Sequence, residues 1–249
     1  MRLHSRGEVG YLRFEDFVRL PLRRFEEVAF HGWGEPLLHP DLFRFVSHAS
    51  GLGLRTSLIT NGFLLRDRLG EVLSSPLDEL AVGIYTLAGR SEVLDAVAEL
   101  VGRRGSGGRP RVLFDITILK ENLSEIPKIV EAAAEVGVDA VVLHRLFNLH
   151  KPGLERPSRG EEVRLFREVE AVAGERGVKV YYPPARRVRP CIVTLNCLFV
   201  TWDCRYSPCC FLAEMGYSLG SAFDEGMFLK HLKFITGMRR NEICRRCPW

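Results

Sequence analysis

Between residues 26 and 182 the chain alternates short apolar runs rich in β-branched side chains with amphipathic stretches of helical period, and that rhythm leaves few folds open. Runs at 27–31, 54–60, 79–85, 112–119, 140–144 and 178–182 read as strands. The stretches at 41–50, 63–73, 91–101, 124–136 and 161–175 read as helices, with a further helix at 14–20. Parallel neighbours need a crossover that a helix supplies, so the pattern predicts an α/β chain built of βα units on a parallel sheet. Ser91 stands where an N-cap belongs, and Gly137 where a left-handed residue closes a helix. Strands in sequence with helices on one side suit a barrel-like sheet; an open doubly wound sheet satisfies the same pattern.

The 249 residues are enough for a large core without disulfides. No apolar run approaches the ~18 residues of a membrane span, and the first residues, Met1-Arg2-Leu3-His4, lack the apolar core of a signal peptide. The expectation is a cytoplasmic protein with no membrane partner. A formal charge of +4, with arginines spread along the chain, gives nucleic-acid binding little support. The glycines and serine at 105–108 suggest a phosphate cradle, but they precede a strand and open no helix, so a solvated loop is the better reading. A second surface loop is expected at 151–160.

All seven cysteines, Cys191, Cys197, Cys204, Cys209, Cys210, Cys244 and Cys247, fall in the last quarter. In a reducing compartment such a cluster builds a metal site more often than a disulfide. The Cys244–Cys247 pair, the Pro208-Cys209-Cys210 step and Cys191 predict four convergent thiolates: Cys191, Cys209, Cys244 and Cys247. Four thiolates suit a [4Fe–4S] cluster or zinc; zinc ribbons usually bring two Cys-x-x-Cys knuckles and this chain has one, which favours iron–sulfur. If Cys209 and Cys210 lie on a strand they face opposite ways, leaving Cys210 a bystander. Cys197 and Cys204 suit buried thiols, with Cys197 near enough to Cys191 to replace a ligand. Arg205, Arg245 and Arg246 flank the site. The βα rhythm stops around Pro183, Pro184 and Pro190, which places a boundary between residues 1–189 and 190–249.

Directly after the first predicted strand comes His31-Gly32-Trp33-Gly34-Glu35-Pro36-Leu37-Leu38-His39-Pro40-Asp41. Glycines at a strand's C-terminal end let a ligand reach backbone N–H and C=O groups, with Glu35 as a further acceptor. Gly-rich turns also serve simply to reverse the chain, and taken alone the two readings are even. His144 and Arg145 end a later strand, and both are expected to face the same pocket.

This stretch resembles the GGEP motif of radical S-adenosylmethionine (SAM) enzymes. Thr60-Asn61-Gly62 resembles the Thr-Asn-Gly that ends the next strand in that family, and Leu119-Lys120-Glu121-Asn122 also falls in the family's order. The resemblance covers about residues 10–249, and its first and last motifs are the most specific. It implies a partial (β/α)6 TIM-like barrel missing its first strand, followed by a small C-terminal cysteine-rich domain. SAM would lie at Gly32, Gly34, Glu35 and Pro36, with Asn61 lining the same end and Arg145 reaching a carboxylate. The tail is similar to the twitch/SPASM auxiliary-cluster domain: Cys191, a hairpin through 198–202, Cys209, then Cys244 and Cys247. Cys204 stands where that pattern has a turn glycine, and Gly83 where the family often has a serine.

The family's Cys-x3-Cys-x2-Cys loop does not occur in this sequence, since no cysteine precedes Cys191. Either the chain begins too late to include it or the reaction has been lost; retained Gly34, Glu35 and Asn61 favour the former. The resemblance implies a SAM-dependent oxidoreductase or maturase, abstracting a hydrogen atom from a peptide or small molecule. Ferredoxin or flavodoxin would be its electron donor and an auxiliary [4Fe–4S] cluster its second cofactor. The chain as it stands is expected to hold one cluster and not to cleave SAM. The rival is a non-catalytic iron–sulfur or zinc protein, for binding or electron transfer, on a degenerate barrel.

Overall fold

The computed structural model describes residues 10–105, 108–147, 153–184 and 191–247. The predicted boundary at 189/190 lies outside these residues, as do the centre of the glycine run at 105–108 and the start of the loop at 151–160. The strands β1 (Glu27–Phe30), β2 (Arg55–Thr60), β3 (Glu79–Gly83), β4 (Arg111–Ile118), β5 (Ala140–Arg145) and β6 (Val180–Tyr181) form one sheet in the order of the sequence. Every neighbouring pair is parallel. The barrel-like order is therefore observed, not the reversed order of a doubly wound sheet.

Helix α1 (Phe14–Phe17) precedes the sheet, and α2 (Leu42–Gly51), α3 (Leu69–Ser74), α4 (Ser91–Arg104), α5 (Ile126–Val136) and α6 (Arg159–Arg176) connect its strands. Right-handed crossovers between successive parallel strands put their helices on one face. Side-chain alternation shows which face that is. Leu80 and Val82 of β3, Val112, Phe114, Ile116 and Ile118 of β4, and Val141 and Leu143 of β5 join the helices in one large core. The intervening residues Ala81, Leu113 and Ala140 form a small cluster with Ile59 and Val142 on the opposite face. Small apolar residues leave that face as a shallow cup.

Local signals explain some helix ends. Ser158 and Glu161 form a reciprocal capping box at the start of α6, and Gly137 closes α5 at φ 76° as predicted. Ser91 is a correction: the cap position belongs to Arg90, and Ser91 is the first helical residue. The helix predicted from residue 63 begins only at Leu69, because residues 62–68 form turns.

Downstream, β7 (Phe199–Val200), β8 (Arg205–Ser207) and β9 (Gly220–Ser221) make a separate antiparallel sheet. Its short helices are α7 (Ile192–Asn196), α8 (Cys210–Glu214), α9 (Met227–Gly237) and α10 (Glu242–Arg246). Tyr206, fully buried, donates its hydroxyl to Met227 O at 2.9 Å and anchors α9 beneath the sheet. Cys204 occupies the hairpin turn at φ 58°, the left-handed region that explains why a glycine suits this position.

Candidate functional site

The loop after β1 is fixed by one buried carboxylate. Glu35 Oε1 accepts from Leu37 N at 3.0 Å and from the Thr60 hydroxyl at 2.6 Å, while Oε2 accepts from Asn61 N at 2.8 Å. Two neighbouring strand ends are thereby stapled together, and Glu35 is 9% exposed. Pro36 heads the 3-10 turn Pro36–Leu38 that Glu35 caps, where its missing N–H costs nothing. Asn61 O accepts from Arg90 at 3.0 Å, and Asn61 Oδ1 accepts from Phe63 N at 3.0 Å. Gly34 is exposed, and a Cβ there would meet nothing within 4 Å. This is the open backbone the motif predicts. His39 completes the loop: its Nδ1 accepts from Asp41 N, which leaves the proton on Nε2 to donate to Leu12 O at 2.9 Å.

Gly32 does something else. Its φ is 142°, and a Cβ would stand 2.7 Å from the Phe199 ring, so it admits the C-terminal sheet against the loop. The seam continues through Trp33, whose Nε1 donates to Cys210 O at 2.8 Å, and through Phe211, stacked on Phe147 with ring centroids 4.1 Å apart. Trp33 follows β1 and Phe147 follows β5. Helix α8 therefore bridges the C-terminal ends of two strands on opposite sides of the cup.

Arg145 is a correction to the sequence reading. Adjacent strand residues point to opposite faces, so His144 and Arg145 cannot share a pocket. Arg145 follows the parity of Leu143 to the helix side and makes a bidentate pair with Glu162 of α6 at 2.7 and 2.9 Å, with a third bond to Pro184 O. His144 faces the cup, its Nε2 2.7 Å from Asp115 Oδ1. His31, Tyr85 and Thr117 join them. Burial holds the His31 pKa below its usual value, with Asp115 opposing and His144 adding to the shift. Burial raises Tyr85, reinforced by the charge of Asp115 and opposed by a hydrogen bond from Thr117. The Tyr85 hydroxyl lies 3.6 Å from where a Cβ on Gly83 would stand, so it fills the place in which the family often has a serine. Sequence reasoning missed Asp115 and Tyr85. The signal was available: Asp115 and Thr117 are polar at alternate positions of an otherwise apolar strand.

Among the predicted ligands, Cys191, Cys209 and Cys244 pack against one apolar cluster of Leu212, Phe234 and Met238. Cys209 is not on a strand: it is the N-cap of α8, and its sulfur accepts from Leu212 N at 3.5 Å. The strand-parity argument that set Cys210 aside therefore fails, and the Cys210 thiol feels Cys197 and the predicted ligand Cys247. Cys209 in turn feels Cys210 and Cys244. Burial pushes the Cys209 thiol up to about 12 and the Cys210 thiol to about 11. Among the described residues no three His, Cys, Asp or Glu side chains are grouped closely enough to hold a metal ion. The donors are soft sulfurs in an apolar pocket with N–H groups aimed at them, a set that fits an iron–sulfur cluster or zinc, but the ligand cage is not assembled.

No family model matches the chain. It is 28% identical over 155 residues to a probable GTP 3',8-cyclase of Sulfurisphaera tokodaii, covering 59% of this chain and 48% of that one. A probable GTP 3',8-cyclase of Metallosphaera sedula matches at 29% over 135 residues, 49% of this chain and 40% of the relative. The chain thus spans about half the length of these curated relatives or less. Among solved structures, Streptococcus suis SuiB bound to its precursor peptide SuiA superposes with a TM-score of 0.68 at 13% identity, over 86% of this chain and 57% of SuiB. The sequence likeness to the two GTP 3',8-cyclases supports the radical SAM family, and the likeness to SuiB shows a shared fold. SuiB bound to S-adenosylmethionine gives a TM-score of 0.66 at 12% identity, over 86% of this chain and 58% of that one. The partial barrel with helices on its outer face is the shared fold. No helix among the described residues is long and apolar enough to cross a membrane.

Proposed function

We propose that the chain forms the cosubstrate-binding barrel and auxiliary-cluster unit of a radical SAM oxidoreductase or maturase acting on a peptide or small molecule. The observation that carries this reading is the strand-end corner, where Glu35 fixes two strand ends and leaves the Gly34 backbone open beside the cup. Bound SAM, once reduced by a cluster, supplies hydrogen-atom abstraction. The protein's own groups orient and shield. Backbone N–H and C=O groups around Gly32 and Gly34 hold the amino-acid head; Glu35 and Pro36 keep that loop from collapsing, and Asn61 borders it. The cup and the α8 bridge exclude water from the reacting atoms.

Cys191, Cys209, Cys244 and Cys247 would hold one auxiliary [4Fe–4S] cluster, with Cys197 as the alternative ligand. Closing this cage requires the C-terminal helices to shift around the sulfurs. A ferredoxin or flavodoxin would deliver electrons. The sequence carries no cysteine among residues 1–190, which favours a second reading of the chain as it stands: it binds the cosubstrate and one metal centre without turnover.

Calorimetry with SAM, and anaerobic reconstitution with iron and sulfide, test both. Binding at the micromolar level, lost when Gly34 is replaced by valine, together with one cluster and no methionine release, is the expected result. No binding, or a zinc-filled tail that takes up no iron, overturns the proposal.

A further inference from the structure

The cup holds a second polar constellation that the cosubstrate corner does not use. Asp115, Thr117 and His144 project from the inner faces of β4 and β5, and Tyr85 leaves the end of β3 beside them. His31, at the end of β1, lies on the far side of two intervening strands. Strand spacing of about 4.8 Å would place β1 and β4 roughly 14 Å apart in a flat sheet. Yet His31 feels the charges of both Asp115 and His144. The sheet is that of a partial barrel, whose curvature brings its two edges toward each other across the cup.

One atom in this cluster is unfinished. Asp115 Oδ1 is buried and has no aligned hydrogen-bond donor, although His144 Nε2 stands 2.7 Å away. A buried carboxylate oxygen without an aligned N–H or O–H costs stability unless a ligand supplies one. The apolar residues of the same face are Ala81, Leu113 and Ala140, none of which carries a donor on its side chain. Tyr85 and His31 each keep an edge open to solvent, although neighbouring groups crowd both rings enough to shift their pKa values. No strand contact explains an aspartate here: the other inner positions of its row are Gly83 and Val142.

We propose that Asp115 is a substrate-anchoring carboxylate, positioned by His144, which takes a nitrogen-borne donor of the substrate such as a guanidino, amine or amide N–H. Tyr85 stands beside Asp115 while His31 ends β1 at the far edge of the sheet, and together they set the width of the group admitted. This deepens the proposed function, since it rests on the cup being the reaction chamber, and it names the substrate class that the cup selects.

The test uses the whole chain and the probe methylguanidinium, with acetate as the control, followed through the imidazole resonances of His31 and His144. Methylguanidinium should shift both signals saturably below ~10 mM, and acetate should not. Asp115→Ala should weaken methylguanidinium by about tenfold or more while keeping the wild-type circular dichroism and melting midpoint. Asp115→Glu should recover part of the affinity. Equal affinity in Asp115→Ala and wild type, or no saturable shift in wild type, overturns the proposal. SAM binding measured on the same samples separates the two claims. Cosubstrate binding intact with no guanidinium site sinks the Asp115 assignment alone; a guanidinium site without cosubstrate binding sinks the reading of the barrel alone.

Discussion

The strand-end corner and the cysteine unit face the same cup but are built to different degrees. At the corner every oxygen of the Glu35 carboxylate already has a protein donor, and the loop would keep its shape whether or not a ligand arrived. In the tail three sulfurs share one apolar pocket, yet among the described residues no three ligands are close enough to hold a metal. Burial of Cys209 also favours its neutral thiol over the thiolate a metal needs. The difference teaches where each region draws its order. Backbone hydrogen bonds preorganise the first; in the second, the proposed metal would spend its binding energy on arranging its ligands.

Metal loading should give the largest separation between the two. At a free metal concentration a thousandfold above the dissociation constant, loading adds about 4 kcal/mol to whatever folds with it. Iron–sulfur reconstitution should therefore protect α8 and α10 from hydrogen exchange while leaving β1 and β2 unchanged. Equal protection of both regions would mean that the barrel, too, depends on the metal. Next in size is Glu35→Leu, which orphans the Thr60 hydroxyl and two N–H groups at once and should cost about 3 kcal/mol in urea unfolding. The same measurement on metal-free Cys209→Ala should move by less than about 1 kcal/mol. A reversal of that order breaks the comparison.

The seam between the regions offers the third test. Phe211 stacks on Phe147 and meets Trp33 edge-on at 6.3 Å. Phe211→Ala should cost about 2 kcal/mol and open the tail to limited proteolysis ahead of the barrel. Simultaneous cleavage of both would show one cooperative unit instead.

How much of this was legible in the sequence follows the same divide. All six strands could be read because apolar runs and their spacing are local, and Gly137 because a left-handed closure needs only its own residue. Arg145 was misplaced because two neighbouring residues were assigned to one face, an error that strand period alone corrects. Cys209 was misassigned to a strand because Pro208 and two thiols carry no period, and the short α8 is held by tertiary contacts with Trp33 and Phe147. Helix α3 starts late because residues 62–68 are taken up by turns and by Arg68, whose guanidinium donates to Leu37 O at 2.7 Å. The Asp115 cluster is assembled by sheet curvature from three strands and a loop. No window along the chain contains it.

The smallest effect is a pH dependence confined to the barrel. His31 has its pKa lowered in the fold, chiefly by burial, with His144 adding to the effect and Asp115 and Glu27 opposing it. An unfolded histidine takes up its proton near pH 6.5, before the folded one does. Between those two values the unfolded state binds more protons, so stability falls as the pH drops below about 6.5 and levels off once the folded His31 is also charged. Because His31 lines an open cup, solvent moderates the loss. Urea midpoints measured at about pH 7.5 and pH 5.5 should differ in wild type and differ less in His31→Asn. Since Asp115 opposes the shift, Asp115→Asn should steepen the dependence, and an unchanged slope in that variant would place His31 and Asp115 too far apart to share a cup.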